Sequence, residues 1–313
     1  MPAPPPKPGQ QSPEPDQQSP EPDQRSPAVF SRRTFAAGLF VAATAPLALY
    51  SNEVGRHELE ITHRDFPIPN LPPAFEGFRI AQISDIHLEE YTEDFFLRHV
   101  IHRVNALNAD VVLATGDFIS RGPLGYDVSL AAAGRCAALL GTLTCPERYG
   151  VLGNHDAIVN PRVVRSHMEN NGLPLLVNQN VRIERDNQSI VLAGIDDFSH
   201  GRPNLSEAIP ENPDAPVILM AHEPDFANRV ATHERGQHVD LILSGHTHGG
   251  QIRIPGFRPL SLPPLGKLYP EGHYIVGNSH LYVNRGIGTV GLPFRLNCPA
   301  EITVATLRSI SNG

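Results

Sequence analysis

In Arg148-Tyr149-Gly150-Val151-Leu152-Gly153-Asn154-His155-Asp156, a run short enough for one strand gives way to a glycine and three polar side chains that can bind metal or move protons. The same transition recurs four times. Phe78–Ile83 leads to Asp85-Ile86-His87, and Val111–Thr115 to Gly116-Asp117. Val217–Ala221 leads to His222, and Leu241–Ser244 to Gly245-His246-Thr247-His248. In an open α/β sheet, ligands bind in a crevice at the carboxyl ends of the strands. Side chains far apart in sequence are therefore expected to meet at one edge. A cluster of carboxylate, amide and imidazole donors there is a metal site, with ligands enough for two ions.

Spacing sorts these residues into two sets. Asp117 is the sole carboxylate of its motif, and Gly116 permits close backbone approach, so Asp117 is the candidate to bridge two ions. Asp85 and His87 stand two apart, and in an extended segment both side chains point the same way. His246 and His248 share that alternation, each serving one ion. Asn154 offers a neutral carbonyl oxygen and His222 a neutral imidazole. Asp85, His87 and His248 are thus expected on one ion, and Asn154, His222 and His246 on the other. Ions about 3.5–4 Å apart would trap a hydroxide and clamp phosphoryl oxygens. A lone Asp-x-His is usually a surface turn and a lone Gly-Asp says almost nothing. The weight comes from five motifs in order, each at a strand end.

The intervening segments alternate strand and helix patterns. Helices are expected near Glu93–Leu107, Val128–Leu140 and Pro161–Asn171, the last with a proline in its first turn and Gly172 past its end. Val181–Glu184 and Ser189–Gly194 read as a hairpin. Leu59–Thr62, Gln251–Ile254, Tyr274–Val276, Leu281–Asn284 and Ile302–Thr306 read as further strands. This suggests two facing sheets with helices outside, and no dinucleotide fingerprint is present.

The 40% hydrophobic share is ordinary for a globular chain. A net charge of -8, with no basic stripe, argues against a nucleic-acid groove. Three cysteines without a CxxC pair read as buried free thiols. Residues 1–30 are rich in Pro, Gln, Ser and acidic side chains and repeat QSPEPDQ at 11–17 and 18–24, the composition of a disordered tail. Arg32-Arg33 then precedes the uncharged run Ala36–Tyr50, so 31–50 reads as a twin-arginine export signal or anchor, ahead of a folded domain at 51–313. The run is short for a spanning helix, which needs about 20 residues. Pro46 after Ala43-Thr44-Ala45 would hinder a signal peptidase, so cleavage and retention as a membrane anchor both stay open. The twin-arginine route carries folded proteins, which would allow the metals to be inserted before export.

At Asp85-Ile86-His87, Gly116-Asp117, Gly153-Asn154-His155-Asp156, His222 and Gly245-His246-Thr247-His248 the chain resembles the calcineurin-like metallophosphoesterases, over roughly 58–307. At Pro69–Pro73, Gly194–Asp197, Arg285–Gly288 and Leu292–Thr303 it is similar to their exported bacterial subgroup of phosphodiesterases and UDP-2,3-diacylglucosamine pyrophosphatase-like enzymes. The resemblance implies an α/β fold, a four-layer αββα sandwich of two mixed β-sheets flanked by helices. It implies a dinuclear site with two divalent metal ions (manganese, zinc or iron) and a phosphate-ester substrate. It further implies that His155 is catalytic and oriented by Asp156.

Other residues carry weaker readings. Asp196 and Asp197 read as loop residues, because the ligand sets are already filled. Arg285 reads equally as a phosphate contact or as a partner to an acid, and His273 and His280 as solvated. Gly249 and Gly250 read as close approaches to the metals, and Leu292, Pro293 and Phe294 as core in preference to an apolar pocket near the site. An exported phosphodiesterase or pyrophosphatase is the leading function. A phosphomonoesterase or protein phosphatase is the alternative on the same metals, and a non-catalytic surface binding module would require a lost ligand.

Overall fold

Strands that are apolar on both faces must be covered on both faces. The central strands here are of that kind: β2 (Arg79–Ile83), β3 (Val111–Ala114), β7 (Val217–Met220) and β8 (Val239–Ser244) are almost wholly buried. The computed structural model describes residues 1–3, 44–89, 91–122, 125–259 and 261–310. The chain divides into Met1–Ala45 and Pro46–Gly313. Most of the proline-rich tail and the Arg32-Arg33 pair lie outside the described residues. Residues 46–53 are helical, and no helix among the described residues is long and apolar enough to cross a membrane.

Two mixed sheets form. In the first, β1 (Leu59–Ile68) and β11 (Ala300–Ser309) run parallel, β11 pairs antiparallel with β2, and β2, β3 and β4 (Arg148–Gly150) are parallel. In the second, the order is β5 (Gln179–Arg185), β6 (Gln188–Gly194), β7, β8, β10 (Ser279–Val283), β9 (Gly272–Val276), antiparallel only at its two outer pairs. The two-residue side-chain period splits each central strand between two cores. Ile80, Val111, Leu113, Ile218, Met220, Leu241 and Leu243 meet between the sheets. Ala81, Ile83, Val112 and Ala114 face helices α1 (Asp94–Ala106), α2 (Tyr126–Leu140), α3 (Asn154–Val159) and α4 (Pro161–Asn170). Val217, Leu219 and Ile242 face α5 (Leu205–Ala208) and α6 (Ala227–Thr232). Two mixed β-sheets flanked by helices result, the expected four layers.

The helices follow local rules. α1 buries Phe96, Leu97, Val100, Ile101 and Val104 on one stripe. α4 starts where the Asn160 side chain accepts the Val163 N–H, with Pro161 at its first position, and stops before Gly172 at φ 77°. One expected strand is not formed. Gln251–Ile254 makes a single bridge, Ile252 to Leu296, because Gly249, Gly250 and Gln251 all take positive φ and turn the chain away from extension. Cys136 and Cys298 are buried thiols and Cys145 is partly exposed.

Candidate metal centre

All seven ligand candidates stand just past parallel strand ends: Asp85 and His87 after β2, Asp117 after β3, Asn154 after β4, His222 after β7, and His246 and His248 after β8. The extended-segment account of their aim does not hold. Asp85 (φ 50°), His87 (48°), Asp117 (55°), His246 (73°) and His248 (51°) all sit in the left-handed region. For a residue with a Cβ this costs roughly 1–2 kcal/mol each. Fixed hydrogen bonds hold the turns in place: Asp85 N–H to Gly116 O at 2.9 Å, His87 N–H to Asp117 O at 3.0 Å, and His246 N–H to the Asp85 carboxylate at 2.9 Å.

The side chains converge in the two expected groups. His248 Nε2 is 3.0 Å from His87 Nε2 and 3.4 Å from Asp85 Oδ1. Asn154 Oδ1 is 2.9 Å from His246 Nδ1 and 3.2 Å from His222 Nε2. Asp117 Oδ2 lies between the groups, 3.5 Å from His87 Nε2 and 3.2 Å from His222 Nε2. Three carbonyls fix the histidine tautomers: His248 Nδ1–H donates to Gly288 O, His222 Nδ1–H to Thr115 O and His246 Nε2–H to Pro264 O. The inward nitrogens of His246 and His248 therefore present lone pairs, as metal-ligating imidazoles do, and that of His222 would do so once a cation displaces its second proton. Ser120 Oγ meets His87 Nδ1 at 2.7 Å. Lone pairs of nitrogen and oxygen crowded this closely fit two divalent cations. The motif glycines make room: a Cβ on Gly153 would lie 2.2 Å from Asp117 Oδ1, and one on Gly245 would lie 2.3 Å from Asp85 Oδ2.

Burial keeps the ligand imidazoles neutral at three positions, taking His87 down to about 3 and lowering His246 and His248. Neutral rings are the form a metal needs. Burial pushes Asp85 up to about 6 and, aided by Asp117, Asp156 up to about 7. Burial opposes charge on His222, but Asp117 beside it holds it well above the usual imidazole range. These raised groups carry protons in the metal-free chain that a nearby cation would expel. Metal binding is expected to release protons, and affinity to fall as pH drops from about 7 to below 6. Calorimetric titration with Mn2+ at pH 6.5, in buffers of different ionisation heat, measures the release. Binding without proton release would contradict it.

His155 is half-buried, with its ring centroid 4.8 Å from that of His87, and it lines a cavity of ≈ 420 Å³ together with Asp117, Asn154, His246 and His248. Its Nδ1 accepts the Arg121 N–H at 2.9 Å, so its ring proton sits on Nε2. Asp156 does not orient this ring. Its buried carboxylate instead accepts the N–H groups of Gly153, Phe118 and Ile119, tying the Asn154 loop to the Asp117 loop. Position N3 of a short helix points the side chain back at its own N-terminus, away from the neighbouring ring.

Among the weaker readings, some hold and others change. A Cβ on Gly249 would lie 2.9 Å from Cys298 Sγ, and one on Gly250 would lie 2.4 Å from Pro259 Cβ. Leu292 is 53% exposed and lines the cavity, so it is not core. Arg285 pairs with Glu60 and Glu301, and Asp196 and Asp197 stay in the loop after β6. His273 and His280 stack on each other and meet Phe66 edge-on.

Several supporting groups escaped notice in the sequence. Buried Arg295 donates to the carbonyls of Arg285, Gly286 and Gly288, and Gly288 O in turn holds His248. Glu223, next to His222, accepts the Ser199 N–H and hydroxyl. Ser120 was three residues from Asp117 but carried no motif.

Residues 78–250 match the calcineurin-like phosphoesterase family. The chain is 36% identical to the metallophosphoesterase YkuE of Bacillus subtilis (strain 168), over 89% of this chain and 98% of YkuE. It is 30% identical to the phosphodiesterase YaeI of Escherichia coli (strain K12), over 74% of this chain and 82% of YaeI. It is 26% identical to the UDP-2,3-diacylglucosamine pyrophosphatase LpxG of Chlamydia trachomatis serovar D, over 80% of this chain and 91% of LpxG. The chain belongs to the calcineurin-like phosphoesterases, metal-dependent hydrolases of phosphoric esters that work with two divalent metal ions.

Proposed function

We propose that this phosphoesterase is exported and cleaves a phosphodiester or pyrophosphate bond. One observation carries the catalytic part: Asp117 Oδ2 lies between the two donor groups while the His155 ring shares their cavity. Asp85, His87, His248 and Asp117 would hold one ion, and Asp117, Asn154, His222 and His246 the other. Manganese, zinc and iron all suit such nitrogen and oxygen donors. Bound ions would supply activated water and positive charge for the phosphoryl oxygens. His155 offers its Nε2–H to the departing oxygen, and Arg121 N–H holds the ring in that sense. The names of YaeI and LpxG support the diester or pyrophosphate class. With metal-loaded protein, kcat/KM for bis(4-nitrophenyl) phosphate is expected to exceed that for 4-nitrophenyl phosphate. The reverse order would assign the chain to the phosphomonoesterases.

The export part rests on Arg32-Arg33 ahead of the apolar run Ala36–Tyr50. Replacing both arginines with lysine is expected to leave the protein in the cytoplasm by cell fractionation. Unchanged export of the double variant would remove this part and leave the catalytic reading intact.

A further inference from the structure

Beyond its ligand floor, the cavity is a neutral, largely apolar wall. Ile252, Pro263, Val290 and Leu292 face it, and no lysine or arginine lines it among the described residues. The polar groups in the wall are mostly committed. Gln251 spends both ends of its amide on Val290, accepting its N–H at 2.7 Å and donating to its carbonyl at 3.1 Å. Thr247 Oγ1 accepts the Gly249 N–H. The nearby guanidiniums are committed as well: Arg253 to Glu271 and Gly249 O, Arg285 to Glu60 and Glu301, and Arg295 to backbone carbonyls. Arg121 meets His155 through its backbone and is not among the lining residues.

A second phosphate entering this space would lose water and gain no counter-charge, whereas an alkyl group would gain contact. Building on the phosphodiester reading, we infer that the wall of Ile252, Pro263, Val290 and Leu292 selects a phosphodiester whose retained ester group is uncharged and apolar. It discriminates against one bearing a second phosphate. The Gln251–Val290 pairing makes the wall a fixed surface that joins two loops, so selectivity does not need a rearrangement.

The test holds the leaving group constant. Full-length, Mn2+-loaded protein is given methyl, butyl and octyl 4-nitrophenyl phosphate, and an octyl analogue ending in a phosphonate. Between methyl and butyl, kcat/KM is expected to rise at least about tenfold, since each buried methylene favours binding several-fold. The terminal phosphonate is expected to lower it about tenfold or more against octyl. Leu292→Asp is expected to bring the butyl-to-methyl ratio towards one, and Leu292 is exposed enough for the variant to fold. A flat series, a preference for the phosphonate, or an unchanged ratio in Leu292→Asp would overturn the inference. Failure of the diester reading looks different: 4-nitrophenyl phosphate is hydrolysed and the diesters are not. Inhibition of that hydrolysis by dimethyl and methyl octyl phosphate then decides the inference. Tighter inhibition by the octyl compound supports it, and equal inhibition refutes it.

Discussion

Asp117→Ala is expected to strip both ions and reduce turnover to background. The carboxylate touches everything the site depends on. Oδ2 lies within 3.5 Å of His87 Nε2 and 3.2 Å of His222 Nε2, while Oδ1 accepts the His155 N–H at 2.8 Å. Its removal leaves two clusters of lone pairs with less negative charge to balance two cations. Loss of a group that merely supports a ligand weakens metal binding by about 10–100-fold, and loss of a shared ligand is expected to exceed that for both ions. Asp117→Asn keeps the shape and removes the charge, so it is expected to bind metal more weakly and turn over as poorly. Elemental analysis and turnover on the same preparation read both effects. Two ions retained in Asp117→Ala would show that the oxygen does not bridge. One ion in fully active wild-type protein would remove the dinuclear mechanism altogether.

His155→Ala is expected to keep both ions and lose on the order of 10²–10⁴ in kcat. The ring lies on the cavity and comes near His87 and Asp117, but the set of Asp85, His87 and His248 and the set of Asp117, His222 and His246 converge without it, so occupancy is expected to survive its loss. Its Nε2–H is the group free to meet a departing oxygen, since in the metal-loaded site the inward nitrogens of His222, His246 and His248 would be taken by the ions and their outer nitrogens are bonded to carbonyls. The loss is expected to shrink for nitrophenolate, a leaving group that departs without a proton, and to grow for an alkoxide. A loss equal across leaving groups would mean that the ring positions substrate and donates nothing to it.

Much of this was legible beforehand, for a physical reason. Strands buried on both faces must be apolar throughout, so Val111–Ala114 and Val217–Met220 announce themselves, and whatever polar residue follows them is conspicuous. The backbone path between was not legible. Asp85-Ile86-His87 has the side-chain alternation of a strand, yet both polar residues adopt left-handed torsions that only the hydrogen bonds of neighbouring loops impose. The partners that set the histidine tautomers are mostly carbonyls, those of Thr115, Pro264 and Gly288, and a carbonyl leaves no trace in residue identity. Asp156 had a side chain suited to either of two tasks. The family resemblance pointed it at His155, and helix geometry gave it to three backbone amides instead.

The strand order bears on when this protein can acquire its metals. Asp85, His87 and Asp117 follow strands of one sheet, whereas His222, His246 and His248 follow strands of the other. Neither half of the chain can cage a pair of ions alone. Moreover, β2, which aims Asp85 and His87, is flanked on one side by β11, made from residues 300–309. A ribosome that has already delivered His248 has still not delivered the strand that seats β2. Capture of both ions is therefore expected only after β11 has been made and the two sheets have docked.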